Sequence, residues 1–166
     1  MAVNFRQASA RDLDDIILLV QRAINTMETN GIRQWDEFYP TREDFSEDIN
    51  NSHLYVGDSG GKIAVIFAVN SSYDEEYANG KWLHPNIDFR VIHRLCVDPA
   101  FQHRGIAKAA LEYVEHSLKD MGVGAVRLDV FSENPYALKL YETMGYSTAG
   151  CVRWRKGRFL LMEKYI

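Results

Sequence analysis

Val91-Ile92-His93-Arg94-Leu95-Cys96-Val97-Asp98-Pro99 runs through Ala100 and Phe101 into Gln102-His103-Arg104-Gly105-Ile106-Ala107-Lys108, and this passage decides the architecture of the chain. Residues 91–97 are largely apolar and β-branched and read as a strand. Asp98-Pro99 ends it, because proline offers no N–H to a ladder and restricts the residue before it. Behind Gly105, the residues Ala107, Ala110, Leu111, Val114, Leu118 and Met121 recur at helical spacing, with Glu112, Glu115, His116 and Lys119 on the opposite side. The passage therefore predicts strand, turn, glycine-pivoted loop, and a helix that opens at Gly105.

Such a junction gathers backbone donors. The first four N–H groups of a helix have no partner inside it, and the helix dipole adds positive character there, so the site suits phosphate oxygens. Gly105 lets a ligand approach the backbone, Ala107 keeps the next turn open, and Arg104 and Lys108 add cations. One glycine alone marks no more than a turn. Two familiar phosphate loops are absent: there is no Gly-x-x-x-x-Gly-Lys-Ser/Thr stretch, and no Gly-x-Gly-x-x-Gly follows a strand.

Working outward, residues 122–124 turn into a strand over 125–131 that is apolar enough to be buried on both faces, a parallel partner for the 91–97 strand across a βαβ crossover. Asn134-Pro135 opens a second helix, with Asn at the N-cap and Pro at the first position; Ala137, Leu140, Tyr141 and Met144 share a side, and Gly145 ends it. Residues 146–152 and 159–165 form a closing strand pair with a basic turn at 153–158. Upstream, a strand over 3–8 leads through a Ser9/Asp12 cap into a helix carrying Leu13, Ile16, Ile17, Val20, Ile24 and Met27, which Asn30-Gly31 ends. An aromatic loop with Trp35, Phe38, Tyr39 and Pro40 precedes a short helix at 41–49. Strands at 53–57 and 62–69 form a hairpin over Asp58-Ser59-Gly60-Gly61. A polar, aromatic-rich insertion fills 70–88 and carries Asp74, Glu75 and Glu76.

The bounds are those of one soluble domain spanning 1–166. With 46% hydrophobic and 25% charged residues, disordered and fibrous classes drop out. A net charge of −4 argues against nucleic acid as partner and for a cationic one. No apolar run is long enough to span a membrane, and the N-terminus has no signal-peptide core, so a cytoplasmic protein is expected. Cys96 and Cys151 read as buried free thiols. The five histidines show no ligand spacing with them, so no metal is expected.

The order of residues from Leu95 to Tyr146 carries a resemblance. Gln102-His103-Arg104-Gly105-Ile106-Ala107 resembles the acetyl-coenzyme A signature of the GNAT superfamily of N-acetyltransferases, Gln/Arg-x-x-Gly-x-Gly/Ala, and Leu95-Cys96-Val97-Asp98-Pro99 resembles its usual lead-in. Asn134-Pro135-Tyr136-Ala137 through Leu140-Tyr141 to Gly145-Tyr146 resembles the family's second signature. The resemblance implies an α/β fold with a mixed, mostly antiparallel central sheet, splayed parallel strands and helices on both faces. It implies acetyl-coenzyme A as co-substrate, touching Leu95, Cys96, Val97, Gln102, His103, Arg104, Gly105, Ile106, Ala107, Lys108, Asn134, Ala137 and Tyr141. By the same resemblance the coenzyme's pantetheine arm pairs with the backbone at Leu95, Cys96 and Val97, a backbone N–H near Leu95 is the oxyanion donor, and Tyr141 protonates the coenzyme sulfur.

Acetyl transfer to an amine needs a neutral amine, an oxyanion donor and a proton for the leaving thiolate, but no enzyme nucleophile. His93 is the candidate base, two residues before Leu95 and so on the same face of a regular strand. A satisfied core histidine is the competing reading, with Asp88, Asp74, Glu75 and Glu76 as fallback carboxylates. Trp35, Tyr39, Tyr73 and Glu75 are candidate acceptor contacts, against edge-of-core packing or a solvated loop. The acceptor is a small-molecule amine or a peptide N-terminus; a homodimer stays open. The alternatives are a coenzyme A-binding regulatory domain without turnover and an acyltransferase for another acyl-coenzyme A.

Overall fold

The structure is a computed structural model that describes residues 2–166. In chain order it forms β1 (Asn4–Gln7), α1 (Leu13–Thr29), α2 (Arg42–Asn50), β2 (Leu54–Ser59), β3 (Lys62–Asn70), β4 (Phe89–Val97), α3 (Ile106–Asp120), β5 (Ala125–Phe131), α4 (Pro135–Thr143), β6 (Ser147–Trp154) and β7 (Gly157–Tyr165). Short 3-10 turns lie at Ala10–Asp12, Glu75–Asn79 and Pro99–Phe101. The sheet order is β1-β2-β3-β4-β5-β7-β6. The β4–β5 pair is parallel, whereas β1–β2, β2–β3, β5–β7 and β6–β7 are antiparallel, as the mixed sheet expected. Among the described residues no helix is long and apolar enough to cross a membrane.

The chain packs as two compact units, and the first comprises Met1–Val69 with Arg94–Tyr113. Strand alternation divides its side chains. Leu54 opposite Ala68 and Val56 opposite Ile66 turn to one face and join Ile16, Leu19, Val20 and Ala23 of α1, Phe45 of α2, Trp35 and Cys96 in one core. Tyr55 opposite Phe67 turns to the other, where the two rings stack at 5.6 Å and meet Phe5 and Tyr113 of α3. This part of the sheet thus carries helices on both faces. The Asp12 carboxylate accepts the Ser9 N–H at 2.8 Å and the Arg6 guanidinium at 2.8 and 2.9 Å just ahead of α1. Thr41 and Asp44 cap α2 reciprocally, at 3.3 and 2.7 Å. The β2–β3 turn is tighter than expected: β2 runs through Ser59, leaving only Gly60 and Gly61 between the strands.

The second unit comprises Asn70–His93 with Val114–Ile166. Phe89, Arg90 and Val91 pair in parallel with Ala125, Val126 and Arg127, and β5 is buried on both faces as its composition predicts. Asn134 caps α4, its side chain accepting the Ala137 N–H at 3.1 Å, with Pro135 in the first turn. The insertion is neither a regular helix nor wholly solvated. Tyr77 is 3% exposed and joins Val91, Val152 and Leu161 in a core, with Trp82, Phe89, Trp154 and Phe159 around it. The guanidinium of Arg127 lies between the Trp82 and Phe89 rings, 4.1 and 4.0 Å from their centroids, and pairs with Glu163 at 3.1 Å. Three expectations are corrected. Cys151 is exposed, because its position on β6 turns outward. Met121 lies beyond the end of α3 and is 67% exposed. The β6–β7 turn shortens to Arg155 and Lys156 because the strands pair as far as Trp154 and Gly157.

Candidate active site

In the first unit, β4 delivers the chain to a tightly fixed loop. The Asp98 N–H reaches the Ala64 carbonyl at 2.8 Å, while its carboxylate accepts the Ala100 N–H at 3.0 Å and Arg22 at 2.6 Å. The Gln102 side chain returns to the Val97 carbonyl at 3.4 Å. His103 and Gly105 then take left-handed conformations, with φ of +63° and +75°. An alternation of this kind turns successive N–H groups toward one concavity, the arrangement that receives anions. The next element is α3, whose first N–H bond of the helical type is that of Ala109 to the Gly105 carbonyl at 3.0 Å, so the donors before it serve the junction. A Cβ on Gly105 would meet nothing within 4 Å, so its glycine is required by backbone conformation rather than by crowding. His103, Arg104, Gly105 and Lys108 are exposed, Gln102 and Ala107 half-buried, and Ile106 buried as an anchor. Arg104 rests 5.7 Å from the Phe101 ring, and Lys108 is 3.8 Å from Glu112. These residue types and donors fit the phosphate-rich end of a coenzyme.

Leu95 and Val97 are half-buried on β4, and Cys96 is 7% exposed. Burial, with the Asp98 charge behind it, pushes the Cys96 thiol up to about 12, so this cysteine stays protonated and inert at neutral pH. Arg94, between His93 and Leu95, is left-handed with φ +53°. The expectation that His93 and Leu95 share a face by strand period assumed a regular strand, and it does not carry across such a residue.

In the second unit, the His93 Nε2 lies 2.9 Å from Asn70 Oδ1 and 3.0 Å from the Ser72 carbonyl. A carbonyl only accepts, so Nε2 carries the proton and Nδ1 is the basic nitrogen of the neutral ring. Tyr141 on α4 is 7% exposed, edge-on to Tyr146 at 5.8 Å. Burial raises its pKa, with the negative charge of Asp129 adding to the effect. Asp129 itself accepts the Tyr77 hydroxyl at 2.7 Å. The sequence reading missed Asp129, although a carboxylate inside an otherwise apolar, doubly buried strand was the signal for it.

Of the acceptor candidates, Trp35 is 7% exposed and sits in the core beneath α1, which is its edge-of-core reading. Tyr39 is 40% exposed, and its hydroxyl accepts from Arg94 at 3.0 Å. Tyr73 is 53% exposed and stacks on Tyr77 at 5.8 Å; Asp74 and Glu75 are exposed. A cavity of about 510 Å³ opens in the first unit along α1 and the loop into α2, walled by Ile17, Val20, Ile24 and Pro40 and by the carboxylates of Glu28, Asp36, Glu37 and Glu43. Arg42, also on its wall, is engaged by Asp14 at 2.6 Å.

Comparisons with known proteins converge with this geometry. A 63-residue stretch, 38% of this chain, is 33% identical to the ribosomal protein bS18-alanine N-acetyltransferase of Escherichia coli, and the match spans 43% of that enzyme's length. An acetyltransferase of the GNAT family from Streptococcus agalactiae superposes with a TM-score of 0.87 at 28% identity, covering 99% of this chain and 95% of that one. The PaiA N-acetyltransferase of Thermoplasma acidophilum, solved with coenzyme A, shares the fold with a TM-score of 0.74 at 17% identity over the full length of both. The Acetyltransferase (GNAT) family profile matches residues 22–146, which take in the glycine-opened helix and the Asn134 to Tyr146 signature. With both signatures on the expected elements and three quarters of its length inside that match, the chain belongs to the GNAT acetyltransferase family.

Proposed function

We propose that the chain transfers the acetyl group of acetyl-coenzyme A to a primary amine by direct attack within a ternary complex. The observation that carries this reading is the left-handed pair His103 and Gly105 at the mouth of α3, directly after the β4 strand. The amine nitrogen attacks the thioester carbonyl, the C–S bond breaks, the nitrogen loses a proton, and the thiolate gains one. The backbone N–H near Leu95 stabilises the oxyanion, and Tyr141 supplies the proton to sulfur. His93 receives the amine proton through Nδ1, directly or by a water. The inert Cys96 thiol favours direct attack over a covalent cysteine intermediate.

The acid-walled cavity supports a cationic acceptor, since apolar walls take the methylenes of an alkylamine while carboxylates attract its charged end. An N-terminal amine of a protein is the second acceptor class, supported by the similarity to the E. coli ribosomal protein bS18-alanine N-acetyltransferase. An acetylation screen tests the whole reading. Acetyl-coenzyme A is incubated with alkylamines, diamines and peptides beginning in alanine, and products are read by mass. A product 42 Da heavier on an amine supports it. Coenzyme binding without any product favours the regulatory alternative, and turnover with a longer acyl-coenzyme A only favours another donor.

A further inference from the structure

We propose that Asp48, Arg94 and Tyr39 form a positioning network that fixes the β4 backbone at Leu95, Cys96 and Val97 in the shape that receives the coenzyme arm. The inference rests on the reading of that strand as coenzyme-binding. Arg94 is a non-glycine residue held left-handed inside β4, at φ +53°. Such a conformation persists only where the surroundings over-determine it. Here the side chain supplies the restraint. Its Nε donates to Asp48 Oδ2 at 2.8 Å and its Nη2 to Asp48 Oδ1 at 2.6 Å, a two-pronged bond that fixes the plane of the guanidinium. The third direction, Nη1, is taken by the Tyr39 hydroxyl at 3.0 Å.

The pair is buried, with side chains 13% and 7% exposed. Replacing a buried ion pair by apolar residues is often neutral for stability, so what this pair contributes is geometry. Its anchor is firm: Asp48 follows Phe45, which is fully buried, on the reciprocally capped α2. Beyond Arg94 the strand is held again by Cys96 in the core and by the Asp98 N–H on Ala64. Residues 95–97 therefore run between two fixed points, and Arg94 sets the angle at which they start.

The test measures amide hydrogen exchange and acetyl-coenzyme A affinity in Asp48→Asn, Arg94→Gly and Tyr39→Phe. Glycine accepts a positive φ without strain, so Arg94→Gly removes the clamp and the strain together. Because it also takes the guanidinium from the buried Asp48 carboxylate, the double variant Asp48→Asn with Arg94→Gly, which leaves no buried charge at this place, carries the same readouts. In Asp48→Asn and Arg94→Gly, exchange over 95–97 should accelerate about tenfold, while α1 peptides over 16–23 keep parental protection. The Kd for acetyl-coenzyme A should rise about fivefold or more, and two- to threefold in Tyr39→Phe. If Asp48→Asn fails to fold, the other two variants carry the same readouts, Tyr39 being partly exposed. Unchanged exchange over 95–97, or faster exchange with a parental Kd, overturns the network. A parent protein that does not bind acetyl-coenzyme A overturns the coenzyme reading itself, which is a distinguishable result.

Discussion

Tyr141 and Asp12 show how single environments set what a residue does. Burial and the Asp129 charge keep the Tyr141 phenol protonated well past neutrality, so the acid form is the one present at working pH. Tyr141→Phe keeps the ring and its edge contact with Tyr146 but removes the proton. With chemistry rate-limiting, kcat should fall by very roughly ten- to ten-thousand-fold while coenzyme affinity stays near parental; an unchanged kcat removes Tyr141 from the reaction. At Asp12 the shift has the opposite sign. The Arg6 guanidinium hydrogen-bonded to it holds the carboxyl at about 2, below its ordinary 3.8. A depressed folded value contributes stability that is present above 3.8 and is lost as pH falls through about 2. Arg6 is itself partly exposed and screened, so the effect is on the order of 1–2 kcal/mol. Urea titrations of Asp12→Asn against the parent should show a deficit at pH 7 that narrows steadily between pH 4 and pH 2. A deficit that does not change with pH would assign Asp12 a capping role alone.

Elements were legible where a period or a cap wrote them into the sequence. The stripes of α1 and α3, the alternation of β2 and β3, and the Asn134-Pro135 start of α4 all stand where the residues predict, within one or two positions at most ends. Capping makes a direct test: Asn134→Ala deletes the acceptor for the Ala137 N–H and should cost about 1 kcal/mol, a Tm loss of about 2–4 °C for a chain of this size. The junction at Gly105 was legible for the same reason, since only a few residue types allow that turn. Gly105→Glu places a side chain at φ +75° and a negative charge beside the helix donors, and acetyl-coenzyme A binding by calorimetry should weaken at least tenfold. Parental affinity would move the phosphate site elsewhere. Partners far apart in sequence were illegible because they have no period. Nothing in the neighbourhood of Asp48 announces Arg94, 46 positions later, and nothing around Trp82 announces the Arg127 guanidinium against its face. The left-handed Arg94 is not legible in the sequence because its restraint is that remote ion pair rather than its own residue type.

For the molecule as a whole, the acidic balance of −4 becomes a claim about the acceptor once the cavity carboxylates are placed. A cationic amine is attracted by exposed Glu37 and Glu43, and such attraction is screened over about 8–10 Å at moderate salt. The amine KM should therefore rise with ionic strength. That alone decides little, because the coenzyme is anionic and the contacts proposed for it with Arg104 and Lys108 would be screened as well. Charge reversal separates the two. Glu37→Lys combined with Glu43→Lys should raise the KM of a cationic amine severalfold and flatten its salt dependence, while the Kd of acetyl-coenzyme A stays parental. Reversing Asp74, Glu75 and Glu76 asks the same of the insertion, where Glu75 and Tyr73 are exposed. The set of reversals that moves the amine KM marks the side on which the acceptor lies; if neither set moves it for any active amine, both loops face water and the cationic acceptor is withdrawn. The rate should also rise with pH as the base or the bound amine gives up its proton, and His93→Gln should lower kcat/KM and remove the inflection near neutrality. An inflection that survives in His93→Gln would transfer the role to a carboxylate, with Asp129, already hydrogen-bonded to Tyr77 and electrostatically coupled to Tyr141, as the first to substitute.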